Sequence, residues 1–282
     1  MAAEITVGGQ AVIEGVLMRT LKEYAVAVRN PKGKIIVKKE KIATASDKFK
    51  IFKLPFFRGI LALYETLVLG FKALIYSAHV SAGENERLSG REMALAVLLS
   101  VALAVLIFIA IPFFFASLAT EDNLLFNLLD GLLRLLALFG YLIFISFFRD
   151  VQRLFEYHGA EHMTIHAYEH KERLVPKNIK KHQTMHPRCG TSFLLIVVIL
   201  SVLVFSLITS ENFVLKFFGR LLLLPVIAGL SYELLKFSSK YQRNPLIKPL
   251  TLPGVWLQHI TTKRPDGRQI EVAAASLKAL VK

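Results

Sequence analysis

The stretch MALAVLLSVALAVLIFIAIPFFFASLAT, Met93 to Thr120, decides what kind of protein this is. Its 28 residues carry no charge. As a helix rising about 1.5 Å per residue it is longer than a hydrocarbon core of roughly 30 Å. A membrane span is therefore predicted. Three further apolar runs follow it. Gly131–Phe148 has Arg134 near its start, Gly190–Ser210 is uncharged, and Leu221–Tyr232 is free of charge but short. The last can span only if Lys216 and Arg220 sit at one interface, where long side chains snorkel. Pro225 is expected to kink it. The predicted spans are about 93–118, 128–148, 191–210 and 214–235. The rest of the composition agrees. In 282 residues, 54% are hydrophobic, which excludes a disordered chain. A single cysteine, Cys189, excludes an internal disulfide.

Charge then orients the chain. Residues 1–92 hold 15 Lys and Arg, 149–188 hold eight and 236–282 hold nine. The connection Glu121–Asp130 holds none and carries three acids. By the positive-inside rule both termini and the 149–190 loop are expected on the cytosolic side of a bacterial inner membrane, with an even number of crossings. No secretory signal is evident in the opening residues. The net charge of +14 would suggest nucleic acid in a soluble protein. Here orientation and anionic lipid account for it, and no sequence-specific nucleic acid is implied.

Outside the spans, Tyr24–Arg29 and Lys34–Lys38 flank Asn30-Pro31-Lys32-Gly33 and read as a β-hairpin. Gly8–Gly15 could add a strand, making 1–50 a small cytosolic β-unit. Residues 55–79 look helical, and Arg58, Glu65, Lys72 and His79 recur every seven residues as a narrow polar stripe. Within the region 51–90 this helix is expected to lie in the interface rather than to span. The transmembrane domain is then 91–238 and the cytosolic tail 239–282, with a turn at Pro253-Gly254-Val255-Trp256 and a short amphipathic helix from Gln269. The fold class is mainly α: a polytopic helical membrane protein with about four transmembrane helices, an N-terminal β-unit and an amphipathic interfacial helix.

Chemistry concentrates in one place. Six of eight histidines fall between His158 and His186, where even scatter would put about one. His158-Gly159-Ala160-Glu161-His162 is an H-x-x-E-H pattern. On a helix His158 and His162 share a face and can grip one metal, with Glu161 beside them as general base. His166 and His170 continue the four-residue ladder. A helix drifts at each step, so all four cannot serve one ion. His186 and Cys189 are further candidates as ligands or supporting groups, with His166. A catalytic zinc takes three protein ligands and a water. Glu233, at the cytosolic end of the fourth span, is the expected third ligand, against an ion pair with a nearby cation. Asp130 and Arg134, four apart, are read as a structural pair.

The longer motifs carry a resemblance. Gly8-Gly9-Gln10-Ala11-Val12-Ile13-Glu14-Gly15-Val16-Leu17-Met18-Arg19 resembles the opening signature of the YqhQ-like family of bacterial membrane proteins of unknown function. Tyr157–His162, His186–Phe193, Tyr232-Glu233, Pro253–Gln258 and Gln269–Ala273 fit the same family. The resemblance implies a metal-dependent enzyme without naming a substrate. It also marks Gln10, Glu14 and Arg19 as a second functional surface.

The favoured expectation is a zinc-dependent hydrolase, with a peptidase as one candidate, at the cytosolic membrane face. Its substrate would be a membrane-protein segment or a lipid-linked molecule. The alternative is a non-enzymatic membrane factor with a structural metal, whose basic face, 32–41 above all, docks a ribosome, translocon or other assembly. A metal transporter ranks last, because the spans hold no histidine or interior acid.

Overall fold

The computed structural model describes residues 7–44, 49–83, 90–208, 210, 212–241, 244 and 247–281. The first six residues of the expected β-unit, and 45–48, lie outside that set.

Strands β1 (Gly8–Val12), β2 (Gly15–Arg19), β3 (Glu23–Arg29) and β4 (Ile35–Lys41) form an antiparallel meander in the order β1-β2-β3-β4. The expected hairpin is β3–β4. Its turn closes as the sequence suggested: Gly33 takes φ +80° and donates its N–H to the Asn30 carbonyl at 2.9 Å. Gly8–Gly15 supplies one strand and the start of a second, because Ile13-Glu14 forms a two-residue loop between Val12 and Gly15.

Strand alternation sends side chains to two faces, and both are covered. On one face Val12, Leu17, Tyr24, Val26 and Val28 pack on Ala73 of helix α1 (Phe57–Ala82). On the other, Val16, Met18, Ala25 and Ala27 pack on α5 (Arg149–Glu169) and α10 (Gly267–Lys278). Asp266 caps α10 in a capping box with Gln269. Double coverage explains why β2 and β3 read as nearly continuous apolar runs. The α1 stripe meets polar partners: Arg58 pairs with Glu233, and Glu65 accepts from Thr44 Oγ1 at 2.6 Å.

Among the described residues, four helices are long and apolar enough to cross a membrane: Phe57–Ala82, Gly90–Ala119, Asn123–Ile145 and Phe213–Ser238. The second comprises α2 (Gly90–Val105), a π-helical turn at Leu106–Ala110 and α3 (Ile111–Ala119). The π turn precedes Pro112, whose missing N–H and ring oppose an ordinary turn there. The third is α4 (Asn123–Ile145), and the fourth lies within α8 (Phe213–Lys240), which runs through Pro225 as continuous helix. The sequence assigned the spanning length differently at two places. Helix α7 (Thr191–Phe205) has 15 residues, about 22 Å, and stops short of Ser210. Helix α1 has the length and hydropathy of a span. The Pro253-Gly254 turn is also absorbed into a helix, α9 (Lys248–Thr261).

Arg220 is the other correction. It does not snorkel to an interface; it is fully buried, bonded to Asp130 and donating to Asn127 Oδ1 at 2.6 Å. Asp130 also accepts from Arg134 Nε at 3.1 Å. The Arg134 and Arg220 guanidiniums lie 4.8 and 5.0 Å from the Phe205 ring centroid. One carboxylate thus holds two cations between α4 and α8, a tertiary arrangement that spacing along one helix cannot show.

Candidate metal centre

Helix α5 supplies the core of the site. Gly159 is the reason another segment can reach it. A Cβ at that position would collide with the Lys263 carbonyl, so only glycine lets the α9–α10 connection cross α5 so closely. Lys263 N–H donates to the Phe155 carbonyl at 2.9 Å and fixes the crossing. That brings the Thr261 carbonyl to His158, whose Nδ1 donates to it at 2.8 Å. One turn along, His162 Nδ1 donates to the Thr184 carbonyl at 2.6 Å. Carbonyls can only accept, so both rings carry a proton on Nδ1, which leaves Nε2 as the nitrogen turned away from those carbonyls.

Those nitrogens face a thiol. His158 Nε2 lies 3.2 Å from Cys189 Sγ, and one ligand atom from each of His158, His162 and Cys189 falls within 4.8 Å of the others. Cys189 Sγ also accepts from the Thr191 hydroxyl at 3.3 Å. The loop bearing Cys189 is pinned by α9: Gln258, fully buried, accepts from His186 N–H at 2.8 Å and donates to the His186 carbonyl at 2.9 Å. A histidine whose other nitrogen is held by a backbone carbonyl is oriented for metal binding. Two His and one Cys are a donor set that could hold a metal ion.

Glu161 stands beside this trio. It is buried, and its Oε2 has no hydrogen-bond partner among the described residues. A Cβ on Gly9 of β1 would lie 2.8 Å from the Glu161 carboxyl carbon and from its Oε1, so Gly9 is what gives this carboxyl its room. Burial pushes Glu161 up to about 8, against the opposing pull of His158. Burial also holds His162 well below the usual imidazole range and raises the Cys189 thiol. An unpaired buried carboxyl, two carbonyl-oriented imidazoles and a thiol fit a cation among them, which would favour the deprotonated carboxyl and thiol and bind the neutral His162 ring. His158, Glu161, His162, Cys189 and Gln10 line a shared cavity of about 480 Å³.

A second group lies alongside: His166, Glu169 and His186, with the His166 and His186 rings 4.6 Å apart. Its nitrogens are engaged. His166 Nε2 donates to the Met185 carbonyl at 2.9 Å. His186 Nδ1 accepts from Arg188 N–H at 3.2 Å, leaving Nε2–H to donate to Glu169 Oε2 at 3.3 Å. Glu169 is also paired with Arg188. This group supports the loop more readily than it ligates. Burial holds His186 neutral, down to about 4.

The remaining expected residues lie elsewhere. Glu233 is not in the cluster: both carboxylate oxygens bond Arg58, with Nε at 2.6 Å, and Phe56 N–H donates at 3.3 Å. The polar stripe of α1 reaches it first, and the residue that stands beside His158 and His162 is Cys189. The three residues of the opening signature separate. The Gln10 amide packs on Gly70 and lines the cavity. Glu14 is paired with Arg153 and accepts from Tyr157 Oη at 3.2 Å, tying the β1–β2 loop to α5. Arg19 donates to Thr66 Oγ1 at 3.1 Å. Sequence reasoning missed Thr184 and Thr261, which act through backbone carbonyls and leave no side-chain signal. It also missed Glu169, and it saw Gln258 only as part of a motif.

Residues 54–282 match the family described as protein of unknown function (DUF1385). The uncharacterized protein YqhQ of Bacillus subtilis (strain 168) is 34% identical over 295 aligned residues, covering 98% of this chain and 92% of the relative. No solved structure matches. The chain therefore belongs to the DUF1385 family, together with YqhQ.

Proposed function

We propose that the protein is a metal-dependent hydrolase of the membrane face, with zinc as the metal its Cys and His donors favour. The observation that carries this is the orientation of His158 and His162: both Nδ1 protons are spent on backbone carbonyls, and Nε2 of His158 points at Cys189. Zinc held there would lower the pKa of a water in the open position to about 7. Glu161 would serve as the base that takes a proton from the attacking water and returns it to the leaving group. Gly9 and the α5 core keep the carboxyl dry and close. The His162 imidazole stays available as a ligand because burial opposes its protonation.

The four long apolar helices support placement in a membrane, and the charge pattern supports an inner-membrane protein with both termini cytosolic. The site would then face the cytosol. Leu69, Ala73, Leu74, Tyr76 and Val80 of α1 pack on the sheet, which supports an interfacial course for that helix among membrane lipids. The docking-factor alternative has one observation in its favour: β4 presents exposed Lys38, Lys39 and Lys41. Two of these are matched, Lys38 by Glu40 at 2.8 Å and Lys39 by Glu23 at 2.9 Å, so the strand is less cationic than its sequence.

The test is Glu161→Gln in zinc-loaded, detergent-purified protein, assayed on fluorescein-labelled casein. Turnover should fall by about 10²- to 10⁴-fold with metal content unchanged. Full turnover in this variant would contradict the assignment.

A further inference from the structure

We infer that the substrate is an extended peptide, bound by strand addition to the open edge of β1. This rests on the hydrolase reading and adds the substrate class to it.

The cavity beside the metal cluster is lined by Val7, Gly8, Gly9, Gln10 and Ala11 in succession. Successive strand residues point to opposite faces, so a cavity touched by all of them runs along the edge of the sheet. β1 is that edge: it pairs only with β2. The register shows which backbone groups are spare. Arg29 N–H donates to the Glu14 carbonyl at 2.9 Å, which turns the Gly15 backbone toward β1. Gly15 pairs with Val12, so Val12, Gln10 and Gly8 direct their N–H and C=O groups at β2. Gly9 and Ala11 direct theirs outward. Among the described residues nothing in the protein takes up those four groups.

Two donor–acceptor pairs, spaced two residues apart on a straight edge, match the main chain of another strand. A fatty chain or a sugar does not offer that repeat. The edge also passes the chemistry, since the Glu161 carboxyl abuts Gly9. A peptide paired alongside Gly9 carries one amide past the cluster. Gly9 has no side chain to obstruct it, and Leu142, Leu154 and Leu194 give the far wall an apolar character suited to membrane-protein segments. In the reaction a C–O bond forms from water to the amide carbon and the C–N bond breaks. The proton Glu161 removes from water goes to the departing amine.

The test uses full-length protein in detergent and a fluorescein-labelled heptapeptide of alternating Ala and Val, followed by anisotropy. Two further peptides carry N-methyl groups on alternate amides, one for each register. The plain peptide should bind. One methylated register should bind at least tenfold more weakly, and the other within about twofold of the plain peptide, since only alternate amides face a neighbouring strand. Ala11→Pro removes one outward N–H at an edge position where proline is tolerated, and should weaken binding at least fivefold with metal content and thermal midpoint kept. If that variant loses its midpoint, the methylated pair decides alone. No binding, or equal effects of both methylation registers, overturns the proposal. Register-selective binding by protein that holds no metal would keep the edge site and sink the hydrolase. Metal-dependent turnover without register selectivity would do the reverse.

Discussion

Gly9 shows how much chemistry a residue without a side chain can carry. A methyl group there would sit 2.8 Å from the Glu161 carboxyl and from the Leu17 carbonyl oxygen. Neither can retreat easily, one being in the buried site and the other in the sheet. Gly9→Ala should therefore lower turnover more than tenfold while zinc stays bound, read by activity beside metal content; an unimpaired variant would separate Gly9 from the site. His186 makes a different prediction. Its folded pKa, about 4, lies below the usual imidazole value of about 6.5. Between those values the unfolded chain binds the proton that the folded chain refuses. Stability should fall as pH drops from about 6.5 toward 4, and His186→Gln should reduce that slope. Thermal midpoints measured across that range check it, and an unchanged slope would contradict it. At this scale the sequence was informative where side chains do the work. The His158, Glu161, His162 pattern and Cys189 were visible from spacing. The carbonyls of Thr184 and Thr261 were not, because orientation by backbone is independent of residue type.

Elements explain the second layer of success and failure. The β3–β4 hairpin was legible because its turn chemistry is local: Asn30 and Gly33 meet across four residues. The α5 helix was legible from its periodicity. Glu233 was misplaced because its partner is 175 residues away. An apolar context suggested that the carboxylate needed a cation, but not that Arg58 rather than a metal would supply it. The same limit hid Arg220. Asp130 and Arg134 were paired correctly from their spacing, yet the stronger demand on Asp130 comes from another helix. Asp130→Asn would leave two guanidiniums buried beside each other without a countercharge. Removing one partner of a buried ionic group costs about 3–5 kcal/mol. Denaturation in detergent should show a loss of that order, whereas the candidate metal centre, built on α5, α9 and the loop that precedes α7, should keep its metal content in whatever fraction stays folded. A loss below about 1 kcal/mol would show that the network is dispensable.

The whole molecule combines a sheet clamped between α1 and the α5–α10 pair with a set of long apolar helices. The site sits where these two parts meet. Its cavity takes β1 from one part and Leu142 of α4 and Leu194 of α7 from the other. That junction explains why signature residues scattered along the chain come together: Gly9 and Gln10 from the start, His158 to His162 from the middle, Cys189 after them and Gln258 near the end. It also explains why overall class could be read from the sequence while the identity of the spanning helices could not. Hydropathy sets how many apolar helices form. Whether α1 lies against lipid or against a sheet depends on tertiary packing, which hydropathy does not encode.

The most direct test is metal content, by mass spectrometry, of purified native protein and of four variants: His158→Ala, His162→Ala, Cys189→Ser and Glu233→Ala. The account predicts about one zinc per native chain, lost or strongly reduced in the first three and retained in Glu233→Ala, whose carboxylate belongs to Arg58. A native chain that takes up no metal on reconstitution, or metal that survives all three ligand substitutions and leaves with Glu233, would contradict it.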